Sequence, residues 1–393
     1  MTPLSSLSPE SRLVFLSADP SCDAAVLAAV ADEVRDWGRT IALAEREVAT
    51  SSLWRALRDT SSALPEPVTA HLRRSAIVSD FRMQQLSLRL QRTVAAFTTE
   101  GIPLLLLKGA AIGALFDPSF RLRPMTDIDA LVRREDVGRA RAALVAAGWT
   151  ESTDPELREV LEDHHHLPPF LDPQMPGVRF ELHVSLFPSD HSFTVDESHF
   201  LRDAQPAAAP FAGTLVPTLD HLLLHACVHF AWQHTMEFAA WRTLRAVGLV
   251  VRSPDFSWER FVETALTAKA ATSCYWTLRL AQRLSGIEIP TAALARLQPP
   301  TAESVRAALE RHFIAALVPG EGVASPSIRL SRLLWRTALR PRWSGHRTPE
   351  RWDPEGRWER WHGLAPESLG DRLRRHAADY RAWWTFFAHT LLG

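Results

Sequence analysis

Cysteine is scarce: Cys22, Cys227 and Cys274 are the only three in 393 residues, far apart and odd in number. That rules out a disulfide framework as the basis of the fold and favours a reducing compartment, with the cytoplasm as the expectation. Long apolar runs are also missing. No stretch approaches the roughly eighteen residues needed to cross a bilayer, and the first twenty residues lack a basic start followed by an apolar block, so neither membrane insertion nor export is expected. Charge of one sign is not in excess. Lys plus Arg number 44 against 45 Asp plus Glu, a formal net charge of −1, which excludes a polyanion-binding character for the whole molecule and leaves any basic surface local. Tyrosine is rare, two against fourteen Trp, an imbalance without an evident physical reason. There is no internal repeat and no long low-complexity tract. What is present is ample apolar content, 46%, over a length that exceeds what one core normally organises, so two or three domains are expected.

Apolar spacing divides the chain. Residues 23 to 60 read as helix, a Pro-containing break falls at Leu64-Pro65-Glu66-Pro67, and Val68 to Thr99 reads as one long helix that delivers the chain to Gly101. Ile102 to Leu107 is a continuous apolar run too short for a helix and is expected to be a strand buried on both faces. Ala110 to Phe116 looks helical, a loop with Pro118 and Pro124 follows, and a strand begins near Thr126. Arg133 to Ala147 reads as an amphipathic helix stopped by Gly148. Val178 to Leu186 alternates, with Arg179, Glu181 and His183 sharing the polar face. Beyond about residue 215 helices are expected at 221–233, 238–251, 258–269, 275–284 and 301–316, then a loosely wound Arg- and Trp-rich stretch and a final helix from 369 to 392.

The clearest chemical signal is Thr126-Asp127-Ile128-Asp129-Ala130-Leu131-Val132. In a strand, side chains alternate faces, so Asp127 and Asp129 share one face while Ile128, Ala130 and Val132 turn to the core. Two carboxylates on one face invite a hard divalent cation such as Mg²⁺, which in proteins usually meets phosphate.

The order of these pieces resembles the nucleotidyltransferase superfamily, the fold shared by DNA polymerase beta, kanamycin nucleotidyltransferase and the minimal antitoxin-type enzymes. Leu107-Lys108-Gly109-Ala110-Ala111, Arg123 to Val132, Glu181-Leu182-His183 and the helix carrying Leu222 to His229 look most like the uncharacterised bacterial type 5 nucleotidyl transferase family. The resemblance implies an α+β fold: a nucleotidyltransferase-like mixed β-sheet core at 101–190, between helical regions at 1–100 and 191–393. It implies that Asp127, Asp129 and Glu181 hold metal, two Mg²⁺ ions being expected, and that a nucleoside monophosphate passes from an NTP to an unidentified acceptor, a small molecule, peptide or protein, with release of pyrophosphate. Glu181 would assist deprotonation of the acceptor. Lys108, Gly109, Ala110, Arg121 and Arg123 would meet the phosphates, with Gly109 admitting close backbone approach.

The superfamily usually has Gly-Ser or Gly-Gly where this chain has Gly109-Ala110, and Lys108 is the expected substitute as a point charge for phosphate. Arg245 stands near the position where the narrower family tends to carry an Asp. The missing hydroxyl also motivates a second expectation, an inactive nucleotide- or partner-binding module on the same fold. Among the remaining motifs, His164-His165-His166 reads as a polar strand edge, since consecutive strand residues cannot all face one ion. His221, His225 and His229 form a drifting helix stripe, with His225, His229 and His183 expected to line the cleft. The Arg- and Trp-rich tail is interspersed with acids, so a lid packed on the core is favoured over a nucleic-acid contact.

Overall fold

The computed structural model describes residues 7–152, 165–187, 193–318 and 328–339, and a few positions between 370 and 384. Among these it shows an α+β architecture. Four short helices open it: α1 (Pro9–Leu16), α2 (Ala24–Glu33), α3 (Trp37–Arg46) and α4 (Thr50–Leu57). The single helical stretch expected over 23–60 is thus three helices. The chain breaks at Val34, which is extended, and at Val48, which is left-handed at φ 57°; Asp23 and Asp36 cap the helices that follow. A contact distant in sequence settles the first break. The Glu10 carboxylate accepts from the Arg35 and Asp36 backbone N–H groups, both at 3.1 Å, satisfying amides that a continuous helix would have used.

Helix α5 (Glu66–Thr99) is the single long helix expected, with Pro67 in its first turn, burying Leu72, Met83, Leu86, Leu90, Val94 and Phe97 along one stripe. Its end is a Schellman motif. Gly101 sits at φ 64°, Ile102 N–H donates to the Phe97 carbonyl at 3.0 Å and Gly101 N–H to Thr98 at 3.1 Å, with Ile102 and Phe97 both buried. The chain then enters β1 (Leu105–Leu106), α6 (Lys108–Phe116), β2 (Asp127–Leu131), α7 (Val137–Ala146), β3 (Thr150–Glu151), β4 (Phe170–Leu171) and β5 (Arg179–His183). Leu104 to Leu107 are fully buried although only two residues pair as a strand. Gly148, at φ 87°, ends α7 as expected, and the buried Arg89 of α5 donates to the Ala147 and Gly148 carbonyls at 2.7 Å each while pairing with Asp172 at 2.8 Å.

A short α8 (Glu197–Arg202) and two short strands, β6 (Gln205–Pro206) and β7 (Leu215–Val216), complete a mixed seven-stranded sheet in the order β3-β4-β5-β2-β1-β7-β6. Neither short strand is legible in apolar spacing. β2 lies at the centre, parallel to β5 and antiparallel to β1. Helices α9 (Leu219–Val228), α10 (Ala240–Val251), α11 (Trp258–Thr267), α12 (Ala271–Ser285), α13 (Thr291–Leu297), α14 (Glu303–Leu317) and α15 (Ile328–Ala338) follow, with a π-helical turn at His229–Gln233. One contiguous apolar cluster runs from α1 through the sheet to α15. The loosely wound stretch expected before the last helix begins instead with regular helix at α15, where the Trp335 indole donates to the Ala231 carbonyl at 2.6 Å. The rest of the Arg- and Trp-rich tail, residues 340–369, and His164 lie outside the described residues, as does most of the expected final helix. No helix among the described residues is long and apolar enough to cross a membrane.

Candidate active site

Strand pairing brings the acids together. β2 and β5 run parallel with Asp127 opposite Arg179, Asp129 opposite Glu181 and Leu131 opposite His183, so Asp129 and Glu181 are neighbours on one face of the sheet. That face forms one wall of a cavity of about 460 Å³, closed by the start of α6, by α9 and by α10, and lined by Asp127, Asp129 and Glu181 together. Asp129 is 2% exposed. Its Oδ1 accepts from Lys108 Nζ at 2.7 Å and meets His183 Nε2 at 2.9 Å. Glu181 Oε2 is 3.9 Å from His183 Nε2 and 4.0 Å from His166 Nε2. Carboxylate and imidazole atoms of Asp129, Glu181 and His183 all lie within 4.8 Å of one another. Asp127 shares the cavity without joining that tight group.

The expected phosphate-side residues divide. Lys108, Gly109 and Arg123 line the cavity. Lys108 is already engaged by a carboxylate. Gly109 also makes room for two side chains: a Cβ there would fall 2.6 Å from Arg123 Nη1 and 2.7 Å from Met125 Sδ, so both would have to shift. Ala110 is fully buried in α6 and offers only its backbone. Arg121 stays out of the cavity, 54% exposed and beside Asp80, because the loop turns at Phe120 (φ 56°) and carries it outward. His225 and His229 line the cavity as expected, whereas His183 sits wholly buried behind Asp129, and His221 stacks on Phe200 at 4.2 Å. His165 and His166 are not a polar strand edge. Only His166 forms a bridge, to His183, and because the segment is irregular both imidazoles reach the cavity wall. Arg245 acts structurally, donating through Nε to the Leu122 carbonyl at 3.0 Å.

A family model described as an uncharacterised nucleotidyltransferase matches residues 33–286, a span that contains every residue of this cavity. The chain belongs to that family. No curated protein and no solved structure matches it. The family match and the mixed sheet with its flanking helices agree on a nucleotidyltransferase α+β fold.

Electrostatics in this cavity centre on Asp129. Burial acts to raise its pKa, but the Lys108 ammonium and the His183 hydrogen bond outweigh it and hold the carboxylate well below its ordinary range. Lys108 is in turn pushed up against the effect of its burial by Asp129, Glu181 and Asp127. The Lys108 charge also acts to lower Glu181 but is outweighed there. Burial first, then the charge of Asp129, pushes it up to about 8. The three acids share the cavity with Lys108, Arg123 and Arg242, and clustered oxygen donors of this kind suit a hard divalent cation. The residues present therefore fit a metal ion, with Asp129 and Glu181 as its holders and Asp127 within the same cavity.

Sequence reasoning missed Arg242, Gln233, His234 and Phe238, all of which line the cavity. The segment that carries most of them is strained. Thr235, Met236 and Ala239 all have positive φ, next to the π-helical turn, and such geometry leaves no periodic signal in sequence. Burial keeps His225 and His234 neutral, each lowered to about 3.

Proposed function

We propose that this protein transfers a nucleoside monophosphate from an NTP to an acceptor hydroxyl or similar group, with Mg²⁺ bound at the acids and pyrophosphate as leaving group. The observation that carries the reading is the Asp129–Glu181 register across parallel strands, which sets both acids on one wall of a nucleotide-sized cavity beside Asp127. Bound there, a divalent cation would polarise the α-phosphate and offset charge on the attacking and leaving oxygens. Lys108 keeps Asp129 ionised, and His183 fixes its orientation from behind. Glu181, brought to its carboxylate form, is placed to accept the proton of the acceptor. In-line attack would depend mainly on positioning and charge stabilisation. The acceptor, a small molecule, peptide or protein, is not selected by fold.

Incubation with labelled ATP, GTP, CTP and UTP, Mg²⁺ and a cell extract tests the reading. Label transfer is expected with the native chain, and Glu181→Gln is expected to reduce it by roughly 10²–10⁴, with Asp129→Asn at least as damaging. Equal transfer by native and substituted proteins would sink the proposal.

One observation favours a second reading, a nucleotide-binding module without catalysis: the Lys108 ammonium already sits on the carboxylate that a metal would use. Calorimetry separates the two. Nucleotide binding indifferent both to Mg²⁺ and to Glu181→Gln selects the module.

A further inference from the structure

Helix α5 carries two apolar faces. One is the stripe from Leu72 to Phe97 that enters the core. The other points to solvent: Ile77, Val78, Phe81 and Leu88 are between 43% and 63% exposed. At about 3.6 residues per turn these four gather on the side of the helix away from Met83, Leu86 and Leu90, over a length of roughly 16 Å. The outer face of a solvated helix is ordinarily polar, and contiguous large apolar side chains there mark a contact surface.

Charge around this stripe has one sign. Arg74 and Arg92 stand at its two ends and Arg73 and Arg82 on its two flanks, all exposed and in no ion pair among the described residues. From Arg73 to Arg92 the only acid is Asp80, which Arg55 engages and Arg121 approaches at 3.9 Å. Arg89, the remaining cation of this stretch, is buried against Asp172.

That distribution separates the occupants. A second copy using the same face would bring like charges together: antiparallel helices that set Ile77 against Leu88 also set Arg73 against Arg92, and parallel ones set each arginine against itself. The chain beyond Leu339 has ten arginines against seven acids, so it offers no complementary charge. A bilayer with anionic headgroups supplies negative charge on every side of an inserted apolar ridge, where arginine stems cover apolar surface while the guanidinium groups meet phosphate.

We propose that the outer face of α5 is a peripheral membrane-binding surface, with Ile77, Val78, Phe81 and Leu88 entering the interface of an anionic bilayer and the four arginines held at its headgroups. The chain then lies on the bilayer; no helix among the described residues is long and apolar enough to cross it. The candidate active site is on the other side of α5, where Met83 Sδ accepts from the Met125 N–H at 3.4 Å and Met125 packs by Gly109, so lipid at the outer face leaves the cavity clear. This surface does not depend on the nucleotidyl-transfer reading.

Co-sedimentation of the full chain with vesicles of phosphatidylcholine alone, or of equal parts phosphatidylcholine and phosphatidylglycerol, is the test. The native protein is expected to bind the anionic vesicles at least tenfold more tightly than the neutral ones, and to be released from them at about 0.5 M NaCl. Phe81→Ser and the pair Arg74→Gln/Arg92→Gln should each weaken that binding about tenfold or more. Val305→Ser, which removes an exposed apolar side chain from α14, should bind as the native chain does. All these positions are exposed, and unchanged thermal melting of each variant separates lost binding from lost folding. Equal binding to neutral and anionic vesicles, or anionic binding unchanged by Phe81→Ser or by the arginine pair, would overturn the proposal. A dimer seen by light scattering without vesicles and dissociated by Phe81→Ser would overturn it in favour of a second copy. No binding to anionic vesicles at low salt would overturn it too, leaving an acid-rimmed groove on another protein as the occupant.

Discussion

Lys108 concentrates the cost of this site in one residue. It opens α6 at φ 44°, a left-handed conformation that disfavours any side chain with a Cβ, and its ammonium crosses to Asp129. The backbone strain and the ion pair are separable by substitution. Lys108→Ala removes the ammonium and keeps the strain, whereas Lys108→Gly removes both. Losing one partner of a buried pair should destabilise each by about 3–5 kcal/mol. Within that loss, the glycine variant is expected to be the more stable by about 1 kcal/mol, the reverse of the usual helix order, because only glycine tolerates the left-handed turn freely. Urea unfolding of the two variants side by side checks this; alanine more stable than glycine would show that the backbone at 108 relaxes and stores no strain.

At the scale of elements, the parts that chemistry marks locally were legible and the parts made by distant contacts were not. The apolar stripe of α5, its glycine stop, the buried run at Leu104 to Leu107, the Asp-x-Asp strand and the alternating strand with Glu181 each carry their own periodicity. The split of residues 23–60 depends on Glu10, and the departure of Arg121 depends on the turn at Phe120, so neither could be read from spacing. Arg242 lies on a helix whose existence was plain and whose face toward the cavity was not, since the strained segment before it sets the rotation. The Glu10 contact makes its own prediction. Burial acts to raise the carboxyl, but the amides of Asp36 and Arg35 hold it at about 2, below its usual 4.5. A depressed acid contributes stability that is complete above about pH 4.5 and is lost as pH falls toward 2. Glu10→Gln should therefore cost about 2 kcal/mol at pH 7, with the gap to the native protein closing below pH 4. Denaturant midpoints measured across that range test it, and a gap independent of pH would show that the carboxylate charge is not what holds the break between α2 and α3.

For the whole molecule, the walls of the cavity and the helical region behind it make the fold sensitive to mild acid. His225 and His234 are lowered to about 3, His312 in α14 to about 4, and His229 in the same direction, in each case chiefly by burial. A base whose folded pKa lies below its unfolded value near 6.5 binds fewer protons when folded. The stability this confers is full above pH 6.5 and is lost as pH falls toward the folded pKa. Glu181, raised to about 8, works the other way, stabilising the fold as pH drops from 8 to 4.5, and so offsets about one histidine. His183 and His221 are lowered by burial as well, so the histidines outweigh the one raised carboxyl and stability falls as pH drops below 6.5. Urea unfolding at pH 7.5, 6.0 and 5.0 should show midpoints that fall steeply from pH 6.5 downward. His312→Gln, remote from the cavity acids and neutral throughout, should reduce that slope by about one proton's share. Midpoints flat to pH 5 would mean that these imidazoles reach water and take up protons without unfolding the chain.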